Sequence, residues 1–143
     1  MNLVDANVLL YAVNRADPKH EAALAWLDEA LSGGSTVGFA SLVLLAFLRL
    51  STKPGLFPSP LSASAAVETV RAWTEQPAAV FVHPTPRHLD VLGGLLAGAG
   101  TGGNLTSDAH LAALALEHDA SVVTFDADFG RFAGVRCHVP AAR

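Results

Sequence analysis

The chain has 143 residues, of which 51% are hydrophobic and 15% are charged, so it is long enough to fold as a single domain, residues 1–143, with a substantial core. This composition excludes a disordered chain, and the lone cysteine, Cys137, excludes an internal disulfide framework and fits a reducing compartment. The net charge of −4 argues against the broad basic surface that nucleic-acid-binding proteins often carry.

Membrane insertion and secretion are also disfavoured by the sequence. The longest apolar run, residues 37–48, is too short to span a bilayer. No basic region precedes an apolar one near residue 1, so no signal peptide is expected. We therefore expect a cytoplasmic protein.

Short apolar runs alternate with segments of helical periodicity along the chain. Strands are predicted at residues 2–4, 36–39, 80–83, 121–125 and 135–139. Helices are predicted at residues 6–13, 19–31, 41–52, 62–74 and 87–97, and from Asn104 through the apolar run that follows it. Asp5 or Asn7 is expected to cap the first helix, Ser41 the third and Asn104 the sixth. The alternation predicts an α/β fold with a parallel sheet and helices on both faces.

Four aspartates fall where the predicted elements leave the core. Asp5 follows the first strand, Asp126 and Asp128 follow the fourth, and Asp108 lies in the first turn of the sixth helix. Each alone is also explained by a cap, a turn or the helix dipole. Together they are expected at one edge of the sheet, because parallel strands end on the same side. Burying several carboxylates in one place is costly unless a cation neutralises them.

The ligand types predict which cation this cluster would hold. Carboxylate oxygens favour Mg²⁺ or Mn²⁺, whereas the six histidines have no spacing that places two on one helical face, so zinc is disfavoured. A carboxylate-bound Mg²⁺ commonly serves phosphoryl transfer, in which it activates water and stabilises the attacking and leaving oxygens. The sequence therefore predicts a nuclease or another phosphodiesterase.

Four segments carry a resemblance to a known family. They read VDANVLLY at residues 4–11, FLRLST at 47–52, NLTSDAHLAALA at 104–115 and VTFDADF at 123–129. In this order and at this chain length they resemble PIN domains, and more closely the VapC toxin ribonucleases of type II toxin–antitoxin systems. The resemblance implies a three-layer α/β/α sandwich with a central parallel sheet and Mg²⁺-dependent endoribonuclease activity. It also implies a homodimer and a VapB-type antitoxin that occupies the acidic cleft.

The resemblance also assigns roles to residues. Asp5 and Asp108 match the metal-binding aspartates of the family, and Asp126 matches its later acid, so these three are expected to hold Mg²⁺. Asp128 lies beside Asp126 and is expected to support catalysis with them. We further predict that the RNA substrate contacts Asn7, Arg49 and Asn104. His110 follows Asp108 by two residues, so it is expected to point away from that carboxylate and to be structural. Contact with RNA is the weaker alternative for His110.

One position departs from the family pattern. PIN domains usually carry a glutamate in the helix after the second strand, and the matching stretch has Ala46 instead. No Asp or Glu occurs between Glu29 and Glu68, so a shift of the alignment cannot restore the acid. The number of bound metal ions is therefore left open. An alternative function also stays open: a catalytically weakened PIN-like module that acts by binding RNA or antitoxin.

Two other acidic α/β folds are disfavoured by specific residues. A receiver domain needs a late lysine at a strand end, but the only lysines are Lys19 and Lys53. A phosphatase of the haloacid dehalogenase type needs a general acid two residues after its nucleophilic aspartate, where this chain has Asn7 after Asp5.

Overall fold

In this computed structural model, which describes residues 1–100 and 102–141 apart from the side chain of Asn104, the chain is organised around a parallel sheet. The described residues form five strands in the order β3-β2-β1-β4-β5, and every neighbouring pair is parallel. The strands are β1 (Asn2–Val4), β2 (Val37–Ala40), β3 (Ala79–Val82), β4 (Ser121–Val123) and β5 (Cys137–His138).

Six α-helices in the described residues connect these strands and cover the sheet. They are α1 (Ala6–Val13), α2 (His20–Glu29), α3 (Ser41–Ser51), α4 (Ala63–Thr74), α5 (His88–Ala99) and α6 (Thr106–Glu117). The chain moves outwards from β1 to β2 and β3, and then returns to place β4 on the other side of β1. Because parallel crossovers are right-handed, this reversal places α1 to α4 on one face and α5 and α6 on the other. The predicted three-layer α/β/α sandwich is confirmed.

The predicted helix caps are confirmed only in part. Asp5 is the N-cap of α1, and its Oδ1 accepts a hydrogen bond from the Ala6 amide at 2.7 Å. The prediction for Ser41 is wrong, because β2 runs directly into α3 and the extended Ala40 holds the N-cap position without a side-chain bond. The prediction for Asn104 is also wrong, because a 3-10 turn (Gly103–Leu105) precedes α6 and places Leu105 at its N-cap.

Helix α6 is buried on most of its circumference, which explains why its sequence lacks a polar face. Its buried residues are Ala109, Leu111, Ala112, Ala113, Leu114 and Ala115. A helix that is apolar all round is a core helix. Here α6 packs against α5 and β4, so the position of its first turn, and of Asp108 within it, is set by the core. No helix in the described residues combines the length and apolar character required to cross a bilayer.

Gly38 in β2 lies where the sheet leaves no room for a side chain. A Cβ atom there would be 2.5 Å from Leu3 Cδ2 and 2.8 Å from Val82 Cγ2. Both contacts belong to core residues that cannot move without cost, so Gly38→Ala is expected to lower the free energy of unfolding by about 1–3 kcal/mol. The matched control is Gly94→Ala in α5, where nothing lies within 4 Å of the added atom.

Urea unfolding should therefore show a lower free energy of unfolding for Gly38→Ala and no such loss for Gly94→Ala. Gly94→Ala is expected to be neutral or to gain up to about 1 kcal/mol, because alanine is the better helix former. A Gly38→Ala protein as stable as the wild type would contradict this account of the sheet.

Candidate active site

The candidate site lies where the carboxyl ends of β1 and β4 meet at the centre of the sheet. The strand order reverses here, because β2 and β3 lie on one side of β1 whereas β4 and β5 lie on the other. Ligands of open parallel sheets bind in the crevice at such a point. Asp5 follows β1 directly, and its amide donates a hydrogen bond to the Val123 carbonyl oxygen at 3.0 Å. The ends of the two strands are therefore tied together immediately below the crevice.

A cavity of about 460 Å³ opens at this edge of the sheet. Asp5 and Asp108 line it, with Arg49 and Ala46 of α3 on another wall and Ser107 beside Asp108. The structure thus brings three of the predicted site residues, Asp5, Asp108 and Arg49, to one cavity. Ala46 lies in its wall, so the carboxylate that the sequence lacks is missing from the cavity itself.

The carboxylate of Asp5 is held by a network centred on Thr124. The Thr124 hydroxyl is buried and donates to Asp5 Oδ2 at 2.7 Å. The same oxygen of Thr124 accepts from the Asp126 amide at 3.0 Å and from Asn7 Nδ2 at 3.1 Å. Burial raises the pKa of Asp5; the hydrogen bonds from Thr124 and Ala6 oppose this shift, and the charge of Asp126 adds to it. Thr124 therefore links the two strand ends and fixes one acid of the site.

Asn7 belongs to the same network. Its Nδ2 donates to Asp5 Oδ2 at 3.2 Å as well as to Thr124, and its Oδ1 accepts from the Phe125 amide at 3.1 Å. Both ends of this amide are thus engaged in joining α1 to the segment after β4. These contacts give Asn7 a positioning role towards Asp5, and its predicted contact with the substrate stays a prediction.

Asp108 is the most strongly perturbed acid of the cavity. Its pKa is raised to about 6, first by burial and then by the negative charges of Asp5, Asp126 and Asp128, while Arg131 lowers it. The four acids predicted from sequence are therefore close enough to interact electrostatically. This crowding of like charges is what a bound cation would relieve.

Asp126 and Asp128 lie at the margin of the site. Asp126 is the N-cap of a 3-10 helix (Ala127–Arg131), and its Oδ1 accepts from the Asp128 amide at 2.8 Å. Asp128 is exposed, and its Oδ1 accepts from Arg131 Nη2 at 3.2 Å. Neither is among the residues that line the cavity of Asp5 and Asp108. Their roles as metal ligand and catalytic acid stay predictions.

Comparison with known proteins identifies the family of this chain. The PIN domain family matches residues 3–135. Ribonuclease VapC37 of Mycobacterium tuberculosis is 58% identical over 142 residues, which cover 99% of each chain. This chain belongs to the VapC family of PIN domains.

Other VapC proteins support the same assignment. Ribonuclease VapC33 of Mycobacterium tuberculosis is 39% identical over 136 residues, which cover 95% of each chain. The solved structure of VapBC2 from Rickettsia felis, bound to a DNA fragment from its promoter, has a TM-score of 0.70 to this chain. The two chains are 17% identical, and the match covers 96% of this chain and 97% of that one, so it establishes the shared fold.

The donor atoms of this VapC cavity suit a hard divalent cation. Within residues 1–100 and 102–141, no three His, Cys, Asp or Glu side chains are grouped tightly enough to hold an ion by themselves. Asp5 and Asp108 nevertheless supply oxygen donors in one cavity, and Mg²⁺ is usually held by one or two carboxylates together with water and phosphate oxygens. The residues present therefore fit Mg²⁺ or Mn²⁺ better than an ion that needs a complete protein cage.

The sequence missed Thr124 as a functional residue. The feature of the sequence that could have indicated Thr124 is its position directly after β4 and two residues before Asp126, in a segment whose other polar residues are acids. The remaining predicted contact, Asn104, lies in the turn before α6, and its side chain is outside the part of the chain that the structure describes.

Proposed function

We propose that this chain is a metal-dependent endoribonuclease and the toxin of a VapBC-type toxin–antitoxin pair. The observation that carries the proposal is the cavity at the switch point of the sheet, where the carboxylates of Asp5 and Asp108 face the same space as Arg49. The raised pKa of Asp108, caused first by burial and then by the charges of Asp5 and Asp126, agrees with it. Relatives that are 58% and 39% identical are named ribonucleases and are matched over nearly their whole length, which supports the same activity here.

The proposed division of roles follows the contacts. Asp5 and Asp108 would hold Mg²⁺, with Mn²⁺ as a possible substitute, and Asp126 would add charge from the margin. When bound, the ion supplies Lewis acidity and charge neutralisation for hydrolysis of a phosphodiester. Thr124 keeps Asp5 in place, and Arg49 lies in the cavity wall, where its guanidinium is suited to pairing with a phosphate of RNA.

The ionisation of Asp108 makes the cavity ready for a cation at neutral pH. With a pKa of about 6, this carboxylate is ionised above that pH and protonated below it. A protonated Asp108 is a poor metal ligand, so the proposed activity should weaken as the pH falls through 6. A cation that binds the ionised site would itself lower this pKa and extend activity to somewhat lower pH.

The alternative, a catalytically weakened module that binds RNA or antitoxin, rests on a specific observation. Ala46 replaces the usual acid in the cavity wall, and Asp126 and Asp128 lie outside the cavity lining. We favour the enzyme, because Mg²⁺ tolerates a protein shell of two carboxylates and fills the other positions with water and substrate oxygens.

The deciding experiment is cleavage of a mixed pool of cellular RNA by the purified protein in Mg²⁺, in Mn²⁺ and in excess chelator. Discrete cuts are expected with either metal, none in chelator, and recovery when metal is added back. A preparation of Asp5→Asn purified in parallel excludes a contaminating nuclease, which would give the same cuts from both preparations. Folded protein that makes no cuts in any metal would overturn the enzyme in favour of the binding module.

The proposed partner is a VapB-type antitoxin that covers the acidic cavity. This is supported by the solved relatives, several of which are VapBC complexes, including the one from Rickettsia felis. A homodimer stays part of the proposal, on the strength of the family resemblance.

A further inference from the structure

Three side chains, one from the start of α5 and two from α6, form a hydrogen-bonded chain next to the candidate active site. Glu117 at the end of α6 accepts a hydrogen bond from His88 Nδ1 at 2.5 Å. The other nitrogen of that ring, Nε2, lies 2.9 Å from Nδ1 of His110. The two imidazole rings meet edge to face with centroids 4.7 Å apart. We call Glu117, His88 and His110 the histidine relay.

The inner end of the histidine relay is rigidly held. The Glu117 side chain is completely buried, and its Oε1 accepts from both the amide and the hydroxyl of Thr85. Burial alone would raise the pKa of Glu117, but the hydrogen bonds from His88 and Thr85 outweigh it and lower the pKa. An ionised Glu117 can only accept, so His88 must donate from Nδ1.

The contact with His88 uses only one nitrogen of His110. His88 Nε2 and His110 Nδ1 share a hydrogen bond at 2.9 Å, which leaves Nε2 of His110 for a further partner. Among the residues that the structure describes, no hydrogen bond reaches Nε2 of His110. The relay thus orients the ring and leaves one nitrogen available for a ligand.

His110 lines a shallow groove that continues the acidic cavity. The groove has a volume of about 390 Å³ and is otherwise lined by Leu42, Leu45, Leu92, Thr106 and Ser107. Leu42, Leu45 and Ser107 also line the cavity of Asp5 and Asp108. On α6, Asp108 and His110 point about 160° apart, and Ser107 lies between them, so the two spaces are neighbours along one surface.

The chemistry of the groove suits a nucleobase. Leu45 is 64% exposed, which leaves an apolar surface open directly beside the carboxylates of Asp5 and Asp108. Sequence-specific recognition of RNA relies on unstacked bases that lie on apolar or aromatic groups and form hydrogen bonds along their edges. A phosphate would instead require a positive charge, and the groove lining contains no Lys or Arg among the described residues.

We propose that His110, oriented by His88 and Glu117, hydrogen bonds through Nε2 to the base of a nucleotide next to the cleaved phosphodiester and thereby contributes to cleavage-site preference. His110 is then a substrate contact, and His88 and Glu117 are positioning residues. The inference rests on the proposed ribonuclease function, because it assigns the groove to that substrate.

The first test uses steady-state cleavage of a short single-stranded RNA that contains a site cut by the wild type. His110→Ala and His110→Phe should each raise KM about tenfold with kcat little changed, because Phe keeps a ring but lacks Nε2. Both should also weaken the base preference beside the cut. Glu117→Gln should move the preference in the same sense, since the amide no longer fixes the His88 tautomer. The control is His83→Ala, which removes an exposed imidazole directly after β3.

The second test measures binding without cleavage and separates the two proposals. A short single-stranded RNA, chosen because the wild type binds it in chelator and whether or not it is cut, is added to Asp108→Asn protein in chelator, with and without His110→Ala, and binding is followed by fluorescence anisotropy. About tenfold weaker binding of the double variant, with an unchanged melting temperature, supports the His110 contact even if the wild type cuts no RNA. Cleavage by the wild type, with KM, preference and binding unchanged in folded His110 variants, overturns the contact and leaves the nuclease intact.

Discussion

Asp108→Asn is expected to lower RNA cleavage about a thousandfold or more while leaving the protein folded. The variant removes a carboxylate from the shared cavity and with it a ligand of the proposed Mg²⁺. Loss of several kcal/mol of charge stabilisation at a metal site corresponds to about three orders of magnitude in rate. Cleavage of the same RNA under single-turnover conditions in saturating Mg²⁺ is the appropriate measurement.

The same substitution should stabilise the metal-free protein at pH 7.5. The pKa of Asp108 rises from 3.8 to about 6 on folding, so the folded state binds the proton more tightly than the unfolded state. Stability from this group is fully present below pH 3.8 and is lost as the pH rises through 6. The shift is worth about 3 kcal/mol, and partial exposure to solvent reduces this to about 1–2 kcal/mol.

Urea unfolding in chelator measures this gain, and it should shrink when the pH is lowered below 6. Asp28→Asn on α2 is the matched control, because it removes the same charge from an exposed position. It should change neither cleavage nor stability appreciably. Full activity of soluble Asp108→Asn would contradict the site, and an unchanged stability would contradict the electrostatic crowding of its acids.

Thr124→Val is expected to lower the rate of RNA cleavage about 10- to 100-fold, although Thr124 is not among the residues that line the cavity. The valine keeps the shape but removes the hydroxyl that donates to Asp5 and accepts from the Asp126 amide and Asn7. Groups that orient a metal ligand typically contribute this much to affinity or activity. The buried donors left without an acceptor should also lower the free energy of unfolding by about 1–3 kcal/mol.

Thr124→Ser separates the hydroxyl from the methyl group. Serine can form the same three hydrogen bonds, so its activity should stay within a few-fold of the wild type, with a higher Mg²⁺ affinity than Thr124→Val. Titration of activity against Mg²⁺ concentration compares the three proteins. Equal losses in the serine and valine variants would show that packing of the methyl group, rather than the hydroxyl, positions the site.

Most of the architecture could be predicted from the sequence, because it depends on local patterns. Hydrophobic periodicity identified the strands and helices of the parallel sheet, and their ends shifted by only one or two residues in the structure. Asp5 and Asp108 were identifiable as a pair, because one follows a strand and the other begins a core helix. The absence of an acid at position 46 was visible directly, and Ala46 does lie in the cavity wall.

The hydrogen-bond networks around the site depend on contacts between residues far apart in the chain. Thr124 bonds to Asp5 across 119 positions, and His88 reaches His110 and Glu117 from another helix. Periodicity carries no information on such pairs, since it reports only which face of an element is apolar. The sequence therefore determined the sheet, the core and two acids at its edge. Which polar groups hold those acids depends on the tertiary structure, because a buried polar group must form its hydrogen bonds with the groups that the fold places beside it.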